Sequence, residues 1–505
     1  MYTILYSAMN IGIDSKLIKI ETDVSDGLPD MTLVGLLSSE VKEAKDRVRI
    51  AIKNSGYKLK PKKITINLSP ADIKKEGTGF DLAIAMSIMV CQEIIPNIFK
   101  DTLIIGELGL SGEIKGVTGV LPIVEFSKKL GIKKVIIPQS NLKEALLIED
   151  IEILSFSNLS ELIDHIHGNF IQSNVNYNLL NEVDMYDVDF SDVSGQVFAK
   201  KGIEIAVSGM HNILISGPPG AGKSMMAKRI PTIMPKLSKK EVIEISKIYS
   251  VSGLLDDNMP FITKRPFIMP HHTTSTIALT GGGKTLKPGL ISLSTGGVLF
   301  LDELPEFKRE ALEILRQPLE DKKITVSRIK GNNTYLANFM LVCAMNPCKC
   351  GYYPTEKCVC NKNDIVKYLS KLSNPLLDRI DILISVSKIE LIDIKNNVNN
   401  EKSENIRKRI ENTIEIQKCR YKNEKFKFNS ELPSSKLEKY CIMDDEAREI
   451  SEKAYEQFDF TMRNYHRILK VARTIADMGE KEKISKNHIL QAICYKNQGV
   501  DYVKI

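Results

Sequence analysis

The chain has 505 residues, too many for one ordinary hydrophobic core, so two to four domains are expected. Hydrophobic residues make up 43% and charged residues 26%, and no apolar run approaches the roughly twenty residues that cross a bilayer, which argues against an integral helical membrane protein. The formal charge of +7 permits a polyanionic partner without requiring one, and residues 1–16 lack the basic start and cleavage site of a secretory signal, so a cytoplasmic protein is expected.

Residues 1–165 alternate short β-like runs with amphipathic helices. A strand and turn are predicted over 62–70 and a buried helix over 80–95. A second set follows at 102–110, 120–132 and 133–138, which gives an α/β domain. The polar, asparagine-rich stretch 166–190 has linker composition. Residues 191–390 read as a nucleotide-binding α/β domain, with a first strand at 212–216 and another at 298–303. A second linker is expected at 393–400. Beyond it, helices are predicted over 401–420, 443–457, 463–480 and 484–495, with Ile468, Val471 and Ile475 on one face of the third. Residues 391–505 are therefore expected to form a small helical domain.

The segment GPPGAGKS at 217–224 follows an apolar strand and precedes a helix, the context in which a Walker A loop works. Gly217, Gly220 and Gly222 let the backbone of Gly217, Pro218, Pro219, Gly220, Ala221 and Gly222 turn its N–H groups toward phosphates, and a helix N-terminus adds a favourable field. Lys223 is the cation for the β- and γ-phosphates of ATP, and Ser224 offers a hydroxyl to Mg2+. The strand VLFLDE ends in Asp302, suited to the Mg2+ shell, and Glu303, suited to polarising the attacking water. Asn346 follows another apolar strand, where its amide can orient water or simply form a turn.

These pieces carry a resemblance. GLPDMTLVGL at 27–36, KEGTGFDLAIA at 75–85, GPPGAGKS, RPFIMPHHTTSTIALTGGG at 265–283 and GVLFLDELPEF at 297–307 resemble the YifB/ComM family of magnesium-chelatase-like AAA+ proteins. So do RQPLED at 316–321, AMNPCKCGYY at 344–353, PLLDRID at 375–381 and RNYHRILKVARTIAD at 463–477. The resemblance implies an N-terminal ChlI-type domain similar to the Lon protease domain (ribosomal S5 domain 2-like), a central AAA+ P-loop ATPase and a C-terminal helical lid. It makes Asn346 the sensor 1 residue, Arg379 an arginine finger for a neighbouring subunit's γ-phosphate, and Arg463 the sensor 2 arginine. A finger supplied in trans implies a homo-oligomer, by analogy a hexamer. Lon-like proteases use a serine and a lysine. The matching turn here, EGTGFD, offers only Thr78, with Lys128 and Lys129 downstream, so a noncatalytic scaffold is expected.

Cys348, Cys350, Cys358 and Cys360 form C-x-C-x7-C-x-C, four thiolates able to complete a tetrahedral Zn2+ site of structural character. Cys91, Cys343, Cys419, Cys441 and Cys494 read as ordinary core or surface residues. His271 and His272, if adjacent in a strand, would point oppositely and would not easily share a metal. A loop offering His272, Lys284 and glycine N–H groups suits a DNA-facing or subunit-facing insertion, or is a plain folded loop. The run 322–331 predicts a hairpin strand with Lys323, Arg328 and Lys330 open to phosphates, or an edge strand protected by charge. The expected function is an ATP-driven ring moving on DNA, with branch migration in recombination or natural transformation and recombination or DNA-uptake proteins as partners. A chelatase-like ATPase that remodels a protein or metal-insertion partner, and a DNA-binding structural ring that uses ATP for assembly, are the two alternatives.

Overall fold

The structure is a computed structural model that describes residues 1–169, 186–283, 287–328, 331–388 and 400–497. Most of both expected linkers, together with Lys284, Lys330 and the side chain of Arg328, lies outside the described residues. The chain forms two compact units. The first comprises Met1–Val183, Ser238–Thr263 and Thr285–Pro288, and the second Asp184–Leu237, Lys264–Lys284 and Gly289–Ile505.

The first unit is built on a seven-stranded mixed sheet. Its order is Asp30–Val34, Lys63–Ser69, Asp14–Ser25, Tyr2–Ile11, Thr102–Ile104, Lys134–Pro138, Glu152–Phe156. Alternation along Asp14–Ser25 sends Ile18, Ile20, Thr22 and Val24 inward, as a strand with one covered face requires. Helix Asp81–Cys91 is buried at every position, which its almost uninterrupted apolar sequence permits; its one charge, Asp81, is held by Arg47 at 2.8 and 3.0 Å. Helix Lys239–Ser252 also belongs here. Ser238 and Glu241 close its first turn as a capping box, and Lys247 and Ser250 donate to Glu125 and Glu144 at 2.7 and 2.6 Å.

The second unit holds a five-stranded parallel sheet in the order Phe267–Ile268, Val298–Leu301, Met340–Met345, Ile213–Ser216, Ile382–Ser385. Val298–Leu301, Met340–Met345 and Ile213–Ser216 are buried throughout, the mark of parallel strands covered on both faces. Helices Ser403–Arg420, Asp445–Gln457, Met462–Met478 and Lys486–Asn497 follow. Ile406, Ile410, Ile468, Val471, Ile475 and Ile489 join Ile213, Phe300, Val342 and Ile382 in one core, so the C-terminal helices and the sheet share a single hydrophobic interior. Lys323–Arg328 pairs with Gly331–Leu336 as an antiparallel hairpin, and Lys323 is exposed on it.

Candidate active site

In a parallel sheet every strand delivers its C-terminal end to the same edge, and loops at that edge gather ligand-binding groups. Strand Ile213–Ser216 runs into the glycine loop and helix Lys223–Ile233. Gly220 and Gly222 lie at φ of 76° and 83°, left-handed positions that glycine occupies without cost. Gly217 packs so closely that a Cβ there would stand 2.4 Å from the Val386 carbonyl oxygen.

Lys223 is 9% exposed, and its Nζ donates to the carbonyls of Gly217 and Pro218 at 2.7 and 2.9 Å and to Asn346 Oδ1 at 3.0 Å. Burial lowers its pKa, against the opposing pull of Asp302 and Glu303. Ser224 Oγ donates to Asp302 Oδ2 at 2.6 Å. These two hard oxygens, side by side at a helix N-terminus, are the donor type that Mg2+ takes, so Ser224 and Asp302 fit its shell. Held there, Mg2+ would supply positive charge for phosphate oxygens. Asp302 Oδ1 accepts the Glu303 backbone N–H at 3.0 Å, and Glu303 adopts φ 52°, a turn that leaves its carboxylate at the rim of the site. The Walker residues and Asn346 are thus one connected group.

The two arginines are elsewhere. Strand Ile382–Ser385 runs parallel to Ile213–Ser216 in register, Ile213 beside Ile382 and Ser216 beside Ser385. Arg379 precedes this strand, whereas the phosphate loop follows its partner, so about four residues of strand, roughly 13 Å, separate the two edges. Arg379 is 5% exposed, pairs with Glu320 and donates to the Pro375 carbonyl at 2.5 Å. Burial lowers its pKa, with Glu320 opposing. Arg463 lies 3.8 Å from Asp378 at the same edge. Among the described residues neither arginine bonds to Lys223, Ser224, Asp302 or Glu303.

Sequence reasoning gave no role to Glu320, Asp378 or Asp381. Asp381 is buried, pairs with Arg467, and lies 3.2 Å from His211 Nδ1. Burial would raise its pKa, but Arg467 and His211 outweigh that and hold it far below the usual carboxylate range. Acids flanking Arg379 in LLDRID were the available signal.

The histidine pair lies in a loop. His271 and His272 stand in a turn, where the His271 carbonyl accepts the Thr274 N–H at 2.9 Å, and their rings are 4.1 Å apart rather than on opposite faces. His272 Nδ1 is 3.7 Å from Glu303 Oε2. In the first unit, Thr78 donates to Glu107, while Lys128 and Lys129 pair with Asp150 and Glu125, each at 3.0 Å. The hydroxyl and those lysines are not assembled.

The four cysteine sulfurs lie within 4.8 Å of one another, with Cys348–Cys350, Cys348–Cys358 and Cys350–Cys358 at 3.3, 3.7 and 3.6 Å. A tetrahedral site with Zn–S of about 2.3 Å needs sulfurs about 3.8 Å apart, so the set fits Zn2+. Desolvation raises the Cys350 thiol, but N–H donors from Tyr352 and Val359 prevail and bring it to about 6. The loop also touches the phosphate site. A Cβ on Gly351 would lie 2.4 Å from Pro219 Cδ, and Gly217 donates to the Met345 carbonyl at 3.2 Å.

Three family models match successive parts of the chain. "Magnesium chelatase, subunit ChlI" matches residues 189–394, "Subunit ChlI of Mg-chelatase" residues 20–141, and "Magnesium chelatase, subunit ChlI C-terminal" residues 400–496. The chain is 38% identical over 506 residues to the competence protein ComM of Haemophilus influenzae, covering 98% of this chain and 97% of that protein. It is 37% identical over 497 residues to YifB of Escherichia coli, covering 98% and 97%. A 130-residue stretch, 25% of the chain, is 33% identical to Lon protease 2 of Bacillus subtilis and covers 23% of that protein. With its Lon-like α/β region, parallel P-loop sheet and helical C-terminal part, the chain belongs to the YifB/ComM family of magnesium-chelatase-like AAA+ ATPases.

Proposed function

We propose that the chain works as a homo-oligomeric ring, a hexamer, that couples ATP hydrolysis to translocation or branch migration on DNA in recombination or natural transformation. The observation that carries the reading is the separation of Arg379 and Arg463 from the Walker group by the length of the parallel sheet. Arginines on the far edge do not reach their own subunit's γ-phosphate, and a neighbour packed head to tail receives them.

In this reading the loop amides and Lys223 bind and orient the triphosphate, and Ser224 and Asp302 hold Mg2+. Glu303 polarises the attacking water, Asn346 orients it, and the neighbour's Arg379 stabilises charge on the transferring phosphoryl group, with Arg463 beside it. Glu320 holds Arg379 until a neighbour's phosphate competes for it. Cys348, Cys350, Cys358 and Cys360 bind a structural Zn2+ whose role is to shape the loop after Asn346.

Support for DNA comes from the similarity to a competence protein of Haemophilus influenzae and from the positive charge of the chain. The test is ATPase rate with and without single-stranded or forked DNA at low and moderate salt. DNA stimulation that disappears in Glu303→Gln supports the motor. DNA binding that leaves the rate unchanged refutes it in favour of a structural ring, and absence of DNA binding refutes every DNA reading.

A further inference from the structure

The first unit carries a groove of about 580 Å³ between helix Ala44–Asn54 and the segment 57–62. On the helix, Lys45, Arg49 and Lys53 recur every fourth residue and so form one row, with about 6 Å of axial rise between neighbours. Lys58 and Lys60 line the groove from the other side, exposed, with the half-buried ring of Tyr57 beside them.

None of these five cations has an ion-pair partner among the described residues. Lys62, a sixth, pairs with Asp26 at 3.1 Å. Elsewhere in the unit Lys74, Lys128 and Lys134 each have an acid at 2.9 to 3.1 Å, and the lysines that have none among the described residues, such as Lys16, Lys100 and Lys115, do not line this groove. Even Arg47, on the same helix, turns to Asp81 and Glu43. Only Asp30 and Asp46 supply negative charge in the groove, and Asp30 accepts a hydrogen bond from Thr32 at 2.9 Å.

A spacing of about 6 Å is shorter than the screening length of about 8 Å at physiological salt, so the row repels itself in the free protein. A chain of phosphates relieves that repulsion and releases its own counterions on binding. Protein interfaces are depleted of lysine at their centres, whereas lysine and arginine tracking a groove with an aromatic ring in its wall is the pattern that suits single-stranded nucleic acid.

We propose that this groove binds the sugar-phosphate backbone of a single-stranded nucleic acid, with Tyr57 offering a face to a base. The proposal rests on the reading of the chain as an ATPase acting on DNA, and assigns the first unit a share of the DNA contact.

The experiment uses the full-length protein and a fluorescent oligothymidine, with affinity measured across a salt series. Lys45→Gln, Arg49→Gln and Lys53→Gln combined remove three phosphate contacts. The slope of log affinity against log salt should fall by about 2, with affinity at least about tenfold weaker at moderate salt. ATPase without DNA should be unchanged, because none of the three lies in the Walker or arginine groups. Tyr57→Leu should weaken binding and leave the slope intact. Wild-type affinity and slope in the triple variant would overturn the groove alone, whereas a wild-type protein that fails to bind the oligonucleotide would overturn the DNA reading itself. Competition by polyglutamate as strong as by unlabelled oligothymidine would assign the groove to acidic proteins and also overturn the proposal.

Discussion

Replacing Gly351 by alanine tests whether the cysteine loop holds the phosphate loop in place. Gly351 has φ of 88°, where an L-residue costs about 1–2 kcal/mol, and its new Cβ would stand 2.4 Å from Pro219 Cδ and 2.9 Å from Cγ. Ordinary carbon contacts lie at about 3.5–4.0 Å, so one side must retreat by about 1 Å. Pro219 has little freedom to do so alone, being fixed between Pro218 and Gly220 in the turn that aims the amides. The retreat therefore moves phosphate-binding N–H groups. Gly131→Ala is the control, because it has φ of 77° with nothing within 4 Å of its Cβ and so carries the backbone cost without the clash. Both variants should lose about 1–2 kcal/mol of local stability, but only Gly351→Ala should weaken a fluorescent ATP analogue by about tenfold or more, equivalent to about 1.4 kcal/mol. Wild-type nucleotide affinity in Gly351→Ala would refute the coupling.

The double variant Cys358→Ser, Cys360→Ser should lose bound zinc by elemental analysis and melt earlier in the second unit, because two of four ligands remain. Zinc retained at the wild-type ratio would place the metal elsewhere. Lys496 gives a pH prediction. It is buried, donates to the Ile380 carbonyl at 2.8 Å, and burial lowers its pKa to about 8, with Arg467 adding to the effect. Between pH 8 and its unfolded pKa near 10.5 the folded protein binds fewer protons than the unfolded chain, so this group makes stability rise with pH, by at most about 3 kcal/mol. Relative to Lys496→Met, the second-unit melting temperature of the wild type should climb across that window, and parallel curves would show that Lys496 titrates normally.

The strand, glycine loop and helix of the candidate phosphate site were legible because their pattern is local. Glycines, a lysine and a serine at fixed spacing must sit between a strand and a helix, and Lys223 and Ser224 do. Asp302 and Asn346 end apolar strands, and a parallel sheet brings such ends together without further instruction. The environment of Arg463 was not legible. Its nearness to Asp378 depends on how a helix more than eighty residues downstream packs on the far edge of the sheet, which no local pattern encodes. The loop at His271 and His272 was legible as a loop but not in its detail: Thr273 Oγ1 bonds His271 Nδ1 at 2.7 Å, a local side-chain contact that competes with a strand. Helix Lys239–Ser252 was equally hidden, since its amphipathic face does not say that its partners Glu125 and Glu144 lie more than a hundred residues earlier.

Subunit mixing tests the shared active site most directly. Glu303→Gln keeps the arginines and loses the water-polarising carboxylate, whereas Arg379→Ala keeps the Walker group and loses the finger. Each alone should hydrolyse ATP at near background. If every site draws Glu303 from one subunit and Arg379 from the next, an equal mixture rebuilds about a quarter of its interfaces intact, and hydrolysis should return to a comparable fraction. A co-assembled mixture that stays as inactive as its components, or an Arg379→Ala protein that works at full rate alone, would contradict hydrolysis completed by a neighbour.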